Sequence, residues 1–237
     1  MKLYDAVIRE AEEILSGTCP AVSPYDTSHV WKDVGEPRLI MKRDAAFELG
    51  GAGLPSVNLT AVTTSGVVTA DEVRVYGPDL TELKDDAAFA RIVLLETEDL
   101  GEETDSEKAF AAVRNIDFVR YHVNPLGYMV RVSAASNEEQ VRVDRRAVKA
   151  GIRFAYVGGT YIKQYRRLPE VKHVRVIFVT EKDLVEKLVP LAGKVDAITR
   201  TLTHILDGLP TDCGHCAMKA VCDEVEGMRE LHLGKRR

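Results

Sequence analysis

The residues best spaced to do chemistry lie near the C-terminus, in Asp212-Cys213-Gly214-His215-Cys216 and the Cys222 that follows. Their spacing is C-x2-C-x5-C. Two thiolates three residues apart on a tight turn face a single ion, and Gly214 lets the backbone fold around it. A third thiolate six residues on arrives from the first turns of a helix. Thiolates suit zinc and iron–sulfur clusters, and a closed site takes four protein ligands. The remaining cysteine is Cys19, so the expected ligand set is Cys19, Cys213, Cys216 and Cys222, with His29, His215 and His232 as substitutes for the fourth position. All four cysteines can serve and no histidine stands at zinc-finger spacing. A [4Fe-4S] cluster is therefore the first expectation and zinc the alternative. The bland reading is three free or buried thiols, but cysteine is scarce here, four in 237 residues.

A second pattern is electrostatic. Between residues 142 and 175 ten basic side chains face only Asp144 and Glu170, a net +8 against −13 for the rest of the chain. Guanidinium groups bind phosphates through paired hydrogen bonds, so Arg142, Arg145, Arg146, Arg166 and Arg167 are candidates for an anion site of coenzyme A type. Two short helices, at 144–151 and 156–167, are expected to converge around Gly158-Gly159 and bring these arginines onto one face. The competing reading is a solvated helix face, with Arg166 and Arg167 favourable at a helix C-terminus without any ligand. A pI near 5.8 and the lack of a nucleic-acid motif argue against nucleic acid.

These residues need elements to position them. Residues 3–16 have apolar spacing of helical period, and Gly17 stops them. Residues 18–43, with three prolines and Trp31, read as a loop. Ser56-Val57-Asn58-Leu59-Thr60-Ala61-Val62 and Glu72-Val73-Arg74-Val75-Tyr76 alternate as half-buried strands, and Arg91-Ile92-Val93-Leu94-Leu95 reads as a central strand. Glu48 through Gly53 is glycine-rich but lacks phosphate-loop spacing and reads as a turn. Residues 104–122 read as a helix capped by Thr104 with Glu107 three residues on, its apolar face Phe110, Ala111, Val113, Ile116 and Phe118. Tyr128-Met129-Val130-Arg131-Val132 and Val174-Arg175-Val176-Ile177-Phe178-Val179 are strands, and a long helix from Glu181 to Leu206 is expected to break at Pro190. The expected class is α+β, with mixed α/β layers, a mixed sheet and a cysteine-rich metal-binding tail. Its expected divisions are 1–43, 44–207 and 208–237.

The chain carries a formal charge of −5, 45% hydrophobic and 29% charged residues, an ordinary globular balance that excludes disorder and low complexity. No apolar run reaches a membrane span and the N-terminus lacks a signal-peptide core, so a cytoplasmic, non-membrane protein is expected.

Several stretches carry a resemblance. They are Asp44-Ala45-Ala46-Phe47-Glu48-Leu49-Gly50-Gly51, Glu72-Val73-Arg74-Val75-Tyr76-Gly77-Pro78-Asp79, Val141-Arg142-Val143-Asp144-Arg145-Arg146-Ala147-Val148-Lys149-Ala150-Gly151, and Val174 through Asp183 with Val185-Glu186-Lys187-Leu188. In order and spacing they resemble the middle region of the acetyl-CoA synthase (beta) subunit of the CO dehydrogenase/acetyl-CoA synthase complex, over residues 42–206. That family condenses CO, a corrinoid-borne methyl group and coenzyme A at a nickel and iron–sulfur centre in a further domain, with a Cys-Gly-Cys pair at the nickel. This chain has no Cys-Gly-Cys, so the resemblance carries over no catalytic ligand and leaves open whether the chain is an enzyme. It implies the middle-domain fold, a place for coenzyme A on an arginine-rich surface, and partners among CO dehydrogenase and corrinoid components. The cysteine arrangement is also similar to the iron–sulfur clasp of RecB-like nucleases, but Glu82-Leu83-Lys84 sits in an expected loop and makes no nuclease signature. The leading expectation is a stand-alone middle domain serving one-carbon metabolism as an iron–sulfur accessory, electron-transfer or assembly protein. The alternatives are an acyl- or methyl-transfer enzyme binding a phosphate ligand, and a zinc-stapled interaction protein.

Overall fold

The computed structural model describes residues 2–25, 39–51, 53–100, 106–132, 137–206, 216, 218–225 and 228. In chain order the elements are α1 (Asp5–Leu15), β1 (Ala21–Pro24), β2 (Ala46–Leu49), β3 (Ser56–Thr63), β4 (Glu72–Tyr76), β5 (Phe89–Thr97), α2 (Ser106–Val119), β6 (Tyr128–Val132), β7 (Glu139–Asp144), α3 (Arg145–Ala150), α4 (Phe154–Tyr165), β8 (Val171–Val179), α5 (Lys182–Leu206) and α6 (Lys219–Glu224). This is the expected mixed α/β architecture.

The larger sheet has the order β1-β4-β8-β5-β3. β4 runs parallel to β8 and β5 parallel to β3, while β5 and β8 are antiparallel. β5 is buried along its whole length, as its continuous apolar run requires of an interior strand. The pairing register puts Val73, Val176, Phe178, Phe89 and Arg91 on one face. There α4 lies on the sheet through stacked rings of Phe89, Phe154 and Phe178. The opposite face meets α1, where Glu12 pairs with Arg175 at 3.0 Å and Asp5 accepts from the Thr63 hydroxyl at 2.8 Å. α5 runs along β3 and packs against α1 and α2.

The smaller sheet, β2-β7-β6, is antiparallel. Phe47, Val143 and Tyr128 share one row of it, and Glu48, Arg142 and Met129 the next. Alternation therefore turns Tyr128, Val141 and Glu139 inward, against β3 and β5, and Glu48, Arg142 and Arg131 outward.

The structure corrects the local reading in several places. Ala21–Pro24 forms a strand at the edge of the larger sheet, a position where proline costs no ladder hydrogen bond. β7 occupies residues to which the sequence reading assigned no strand. Pro190 does not break α5: it lies on the exposed side, so the carbonyl freed one turn back, on exposed Glu186, faces water. Ala111 and Phe118 point to solvent, and Ala109 takes the inward place beside Phe110, Val113 and Ile116. Gly158 and Gly159 join nothing. Both lie inside α4, and a Cβ on Gly158 would come within 2.5 Å of Val73 Cγ2 and 2.8 Å of its Cγ1. The glycine lets the helix approach the sheet. Of the glycine-rich stretch, Glu48 and Leu49 close strand β2, and the chain turns only after them, with Gly50 at φ +68°. Thr104 and Trp31 lie outside the described residues.

Candidate functional site

Two polar constellations stand out, each built around one glutamate. The first is sealed inside the fold. Arg91 is fully buried on β5, and Glu139 reaches it from the start of β7. Arg91 Nε donates to both Glu139 oxygens at 2.9 and 3.1 Å, and Nη2 donates to Oε2 at 2.6 Å and to Asn58 Oδ1. The guanidinium also stacks 4.7 Å above the Tyr161 ring. Burial alone would pull the Arg91 pKa down, but the Glu139 carboxylate outweighs it and holds the arginine well above its ordinary value. Burial likewise drives the Tyr128, Tyr161 and Tyr165 hydroxyls up, so all three stay neutral. Arg91 Nη1 and the Tyr128 and Tyr161 hydroxyls have no hydrogen-bond partner among the described residues. Next to this centre a cavity of about 30 Å³, water-sized, is lined by Asn58, Thr60, Asp117, Arg120 and Thr199. Burial raises the Asp117 carboxyl, with Arg120 3.7 Å away opposing it. A bidentate Arg–Glu pair in this setting organises the junction of the two sheets.

The second constellation is open. Glu48, on the outer face of the smaller sheet, is approached by three guanidinium groups. Arg142 Nε donates to it at 2.8 Å, Arg131 lies at 3.7 Å and Arg43 at 3.9 Å. Arg142 is pinned further, its Nη1 donating to the carbonyls of Ile40 and Met41 at 3.3 and 2.9 Å. Arg43 also reaches Asp86 at 3.7 Å. The side chains of Arg43 and Arg131 are 63% and 45% exposed, while that of Glu48 is only 10% exposed. Arg145 lies over the Phe47 ring at 4.7 Å with Nε donating to the Ala46 carbonyl. The result is a surface with more guanidinium than carboxylate, edged by exposed Leu39 and Met41.

The five arginines singled out by sequence do not share one face. Arg142 belongs to the Glu48 crown, whereas Arg145 lies over Phe47, whose row faces the other way from Glu48. Arg146 is held by Asp144, the N-cap of α3, at 3.0 Å. Arg166 donates to the carbonyls of Val171 and Lys172 and lies 3.5 Å from Asp71. Arg167 donates to Gln164 at 2.7 Å. Arg166 and Arg167 follow the end of α4, whereas Arg145 and Arg146 precede its start. Twelve residues of helix, about 18 Å, separate them. Sequence reasoning missed Arg43, Arg131 and the Glu48 hub. The available signal was the alternation of Glu48, Arg131 and Arg142 with apolar residues on their strands.

Of the cysteines, Cys19 is exposed just beyond α1, and Cys216 and Cys222 are half-buried. The Cys216 carbonyl accepts from Lys219 N at 3.1 Å, so Cys216 leads into α6, which contains Cys222. α6 lies beside α5 and the start of α1, whereas Cys19 follows the far end of that helix, which is about 16 Å long. Among the described residues no three His, Cys, Asp or Glu side chains gather as metal ligands. Cys213, His29, His215 and His232 lie outside those residues. Among the described residues no helix is long and apolar enough to cross a membrane.

Residues 30–185 match the family described as the beta subunit of the CO dehydrogenase/acetyl-CoA synthase complex. Subunit beta of the acetyl-CoA decarbonylase/synthase complex of Archaeoglobus fulgidus is 29% identical over 170 residues, which is 70% of this chain and 30% of that protein. The family match contains Glu48, its three arginines, Arg91 and Glu139, and leaves out Cys19, Cys213, Cys216 and Cys222.

Proposed function

The chain belongs to the CO dehydrogenase/acetyl-CoA synthase complex beta-subunit family, and on that premise we propose that it serves one-carbon metabolism by holding a phosphate-bearing ligand of the coenzyme A class. The observation that carries this reading is the Glu48 crown. Arg142 is fixed by Glu48 and two carbonyls, while Arg43 and Arg131 are exposed and only loosely paired, at 3.9 and 3.7 Å. A diphosphate accepts paired hydrogen bonds from such guanidiniums, and Leu39 and Met41 offer apolar surface to an uncharged chain beyond it. Glu48 keeps the arginines oriented toward the site when it is empty. Arg166 and Arg167 contribute nothing to this site directly.

Calorimetric titration with coenzyme A tests the reading. Saturable binding that weakens at least tenfold in the Arg43→Gln/Arg131→Gln variant is expected, because each charge-assisted contact contributes about 1.5–3 kcal/mol. Absence of binding, or binding unchanged in that variant, sinks it.

A metal centre is the second part of the proposal. Cys213, Cys216 and Cys222 would hold a [4Fe-4S] cluster, or zinc, with His215 or His232 as fourth ligand in place of Cys19, which follows the far end of α1. The support is the C-x2-C-x5-C spacing together with the placement of Cys216 and Cys222 on the approach to one helix and within it. Such a cluster supplies electron transfer, or a staging post in metal-centre assembly, toward CO dehydrogenase or corrinoid components. Iron, sulfide, zinc and nickel analysis after anaerobic purification is the test, and protein free of iron and zinc refutes it. The chain has no Cys-Gly-Cys pair, so by itself it is expected to form no acetyl-CoA from CO, a methyl donor and coenzyme A.

A further inference from the structure

α1, α5 and α6 leave a cavity of about 420 Å³ between them, in the size range of small-molecule sites. Its walls are aliphatic: Leu3 just before α1, Val7 from α1, Ile198 from α5, and Val221 with Val225 at α6. Lys2, Arg9 and Lys194 ring it, with Glu224 the single carboxylate in its lining among the described residues. Lys194 is bound to Glu10 at 2.6 Å. Arg9 Nε donates to the Asp5 carbonyl at 3.3 Å. Among the described residues neither Lys2 nor Arg9 meets a carboxylate. Asp5, on the same helix, is engaged by Thr63 and Ser65. An aliphatic cavity with uncommitted cations at its rim has the polarity of a site for an amphipathic anion. Among the described residues the lining contains no aromatic ring, which favours a flexible chain over a flat heterocycle.

We propose that this cavity binds a free linear aliphatic carboxylate of medium length, with its chain between Leu3, Val7, Ile198 and Val225 and its carboxylate on Lys2 and Arg9. The site is separate from the Glu48 crown and does not depend on the proposed coenzyme A binding.

Titration of the full chain with decanoate, octanoate and decyltrimethylammonium tests it. Decanoate should bind saturably, one per chain. Octanoate, two methylenes shorter, should bind roughly fifteenfold more weakly, because each buried methylene is worth about a factor of four. Decyltrimethylammonium should not bind. Ala6→Trp, at an exposed helix position lining the cavity, should abolish decanoate binding with unchanged circular dichroism. Lys2→Glu/Arg9→Glu should weaken it at least tenfold. Absence of saturable decanoate binding, equal affinity for the cationic amphiphile, or binding unaffected by Ala6→Trp overturns the proposal. Co-sedimentation with anionic-lipid vesicles without decanoate binding does so too, and assigns the face to a membrane surface.

Discussion

Arg91–Glu139 and Arg142–Glu48 use the same two side chains in opposite surroundings. Inside, one guanidinium meets one carboxylate with both groups out of water, and each cancels a charge the other could not carry alone. Outside, one buried glutamate meets three guanidiniums, two of them largely solvated. The inner pair has no charge to spare, so it joins the two sheets. The outer cluster carries excess positive charge, so it can accept a ligand. An arginine's role here depends on stoichiometry and burial more than on its place in a basic stretch of sequence.

The largest effect is expected from removing one partner of the inner pair. Glu139→Ala leaves Arg91 charged and buried and should cost about 3–5 kcal/mol in chemical denaturation. The double variant Arg91→Met/Glu139→Leu should cost less than that single change, because no lone charge remains. Equal costs would mean the pair is not electrostatically coupled. A smaller loss is expected from Gly158→Ala, about 1–3 kcal/mol, because the added methyl presses on Val73. That loss should be insensitive to salt. On the outer cluster, Arg43→Gln/Arg131→Gln should shift stability by less than about 1 kcal/mol, with its effect confined to anion affinity. A large loss of stability would make the crown structural, like its buried counterpart.

The smallest effect concerns pH. Burial alone would raise the Asp144 carboxyl, but hydrogen bonds from the Arg146 side chain and backbone, with its charge, hold it below the usual carboxylate range. A lowered folded value means that Asp144 contributes stability above the unfolded pKa near 4 and loses it as the pH falls through the folded value. Asp144→Asn should therefore cost less than about 1 kcal/mol at neutral pH, and the two stability curves should converge on acidification. Asp117 is expected to behave oppositely. Its carboxyl is raised by burial, so its folded form takes up a proton first, and stability gained from it grows as the pH falls through that raised value.

Much of the architecture was readable residue by residue. The alternation in β3 and β4 and the apolar run of β5 specified strands, and the helical period specified α1 and α5, because local burial patterns follow backbone period. Boundaries failed where a tertiary neighbour decided them. Ala21–Pro24 is a strand because β4 offers an edge. Pro190 stays helical because its side of α5 is wet. Gly158 sits in a helix because Val73 and Phe178 lie beneath it.

The mixed α/β class, most of the main strands and the concentration of positive charge were legible in the sequence, since each rests on local pattern and composition, and the family was legible as a resemblance over residues 42–206. The sequence also supplied the C-x2-C-x5-C spacing. Only the tertiary structure decided which charges meet. Arg91 opens an apolar run and reads as its boundary, yet Glu139, 48 positions away, makes it the buried centre of the molecule. Arg142 and Arg166 belong to one basic stretch, yet a helix stands between them, while Arg43 and Arg131, outside that stretch, join Arg142 on Glu48. Strand pairing across the small sheet brings together residues some 90 positions apart, and the register of that pairing is a property of the whole core, not of any local run.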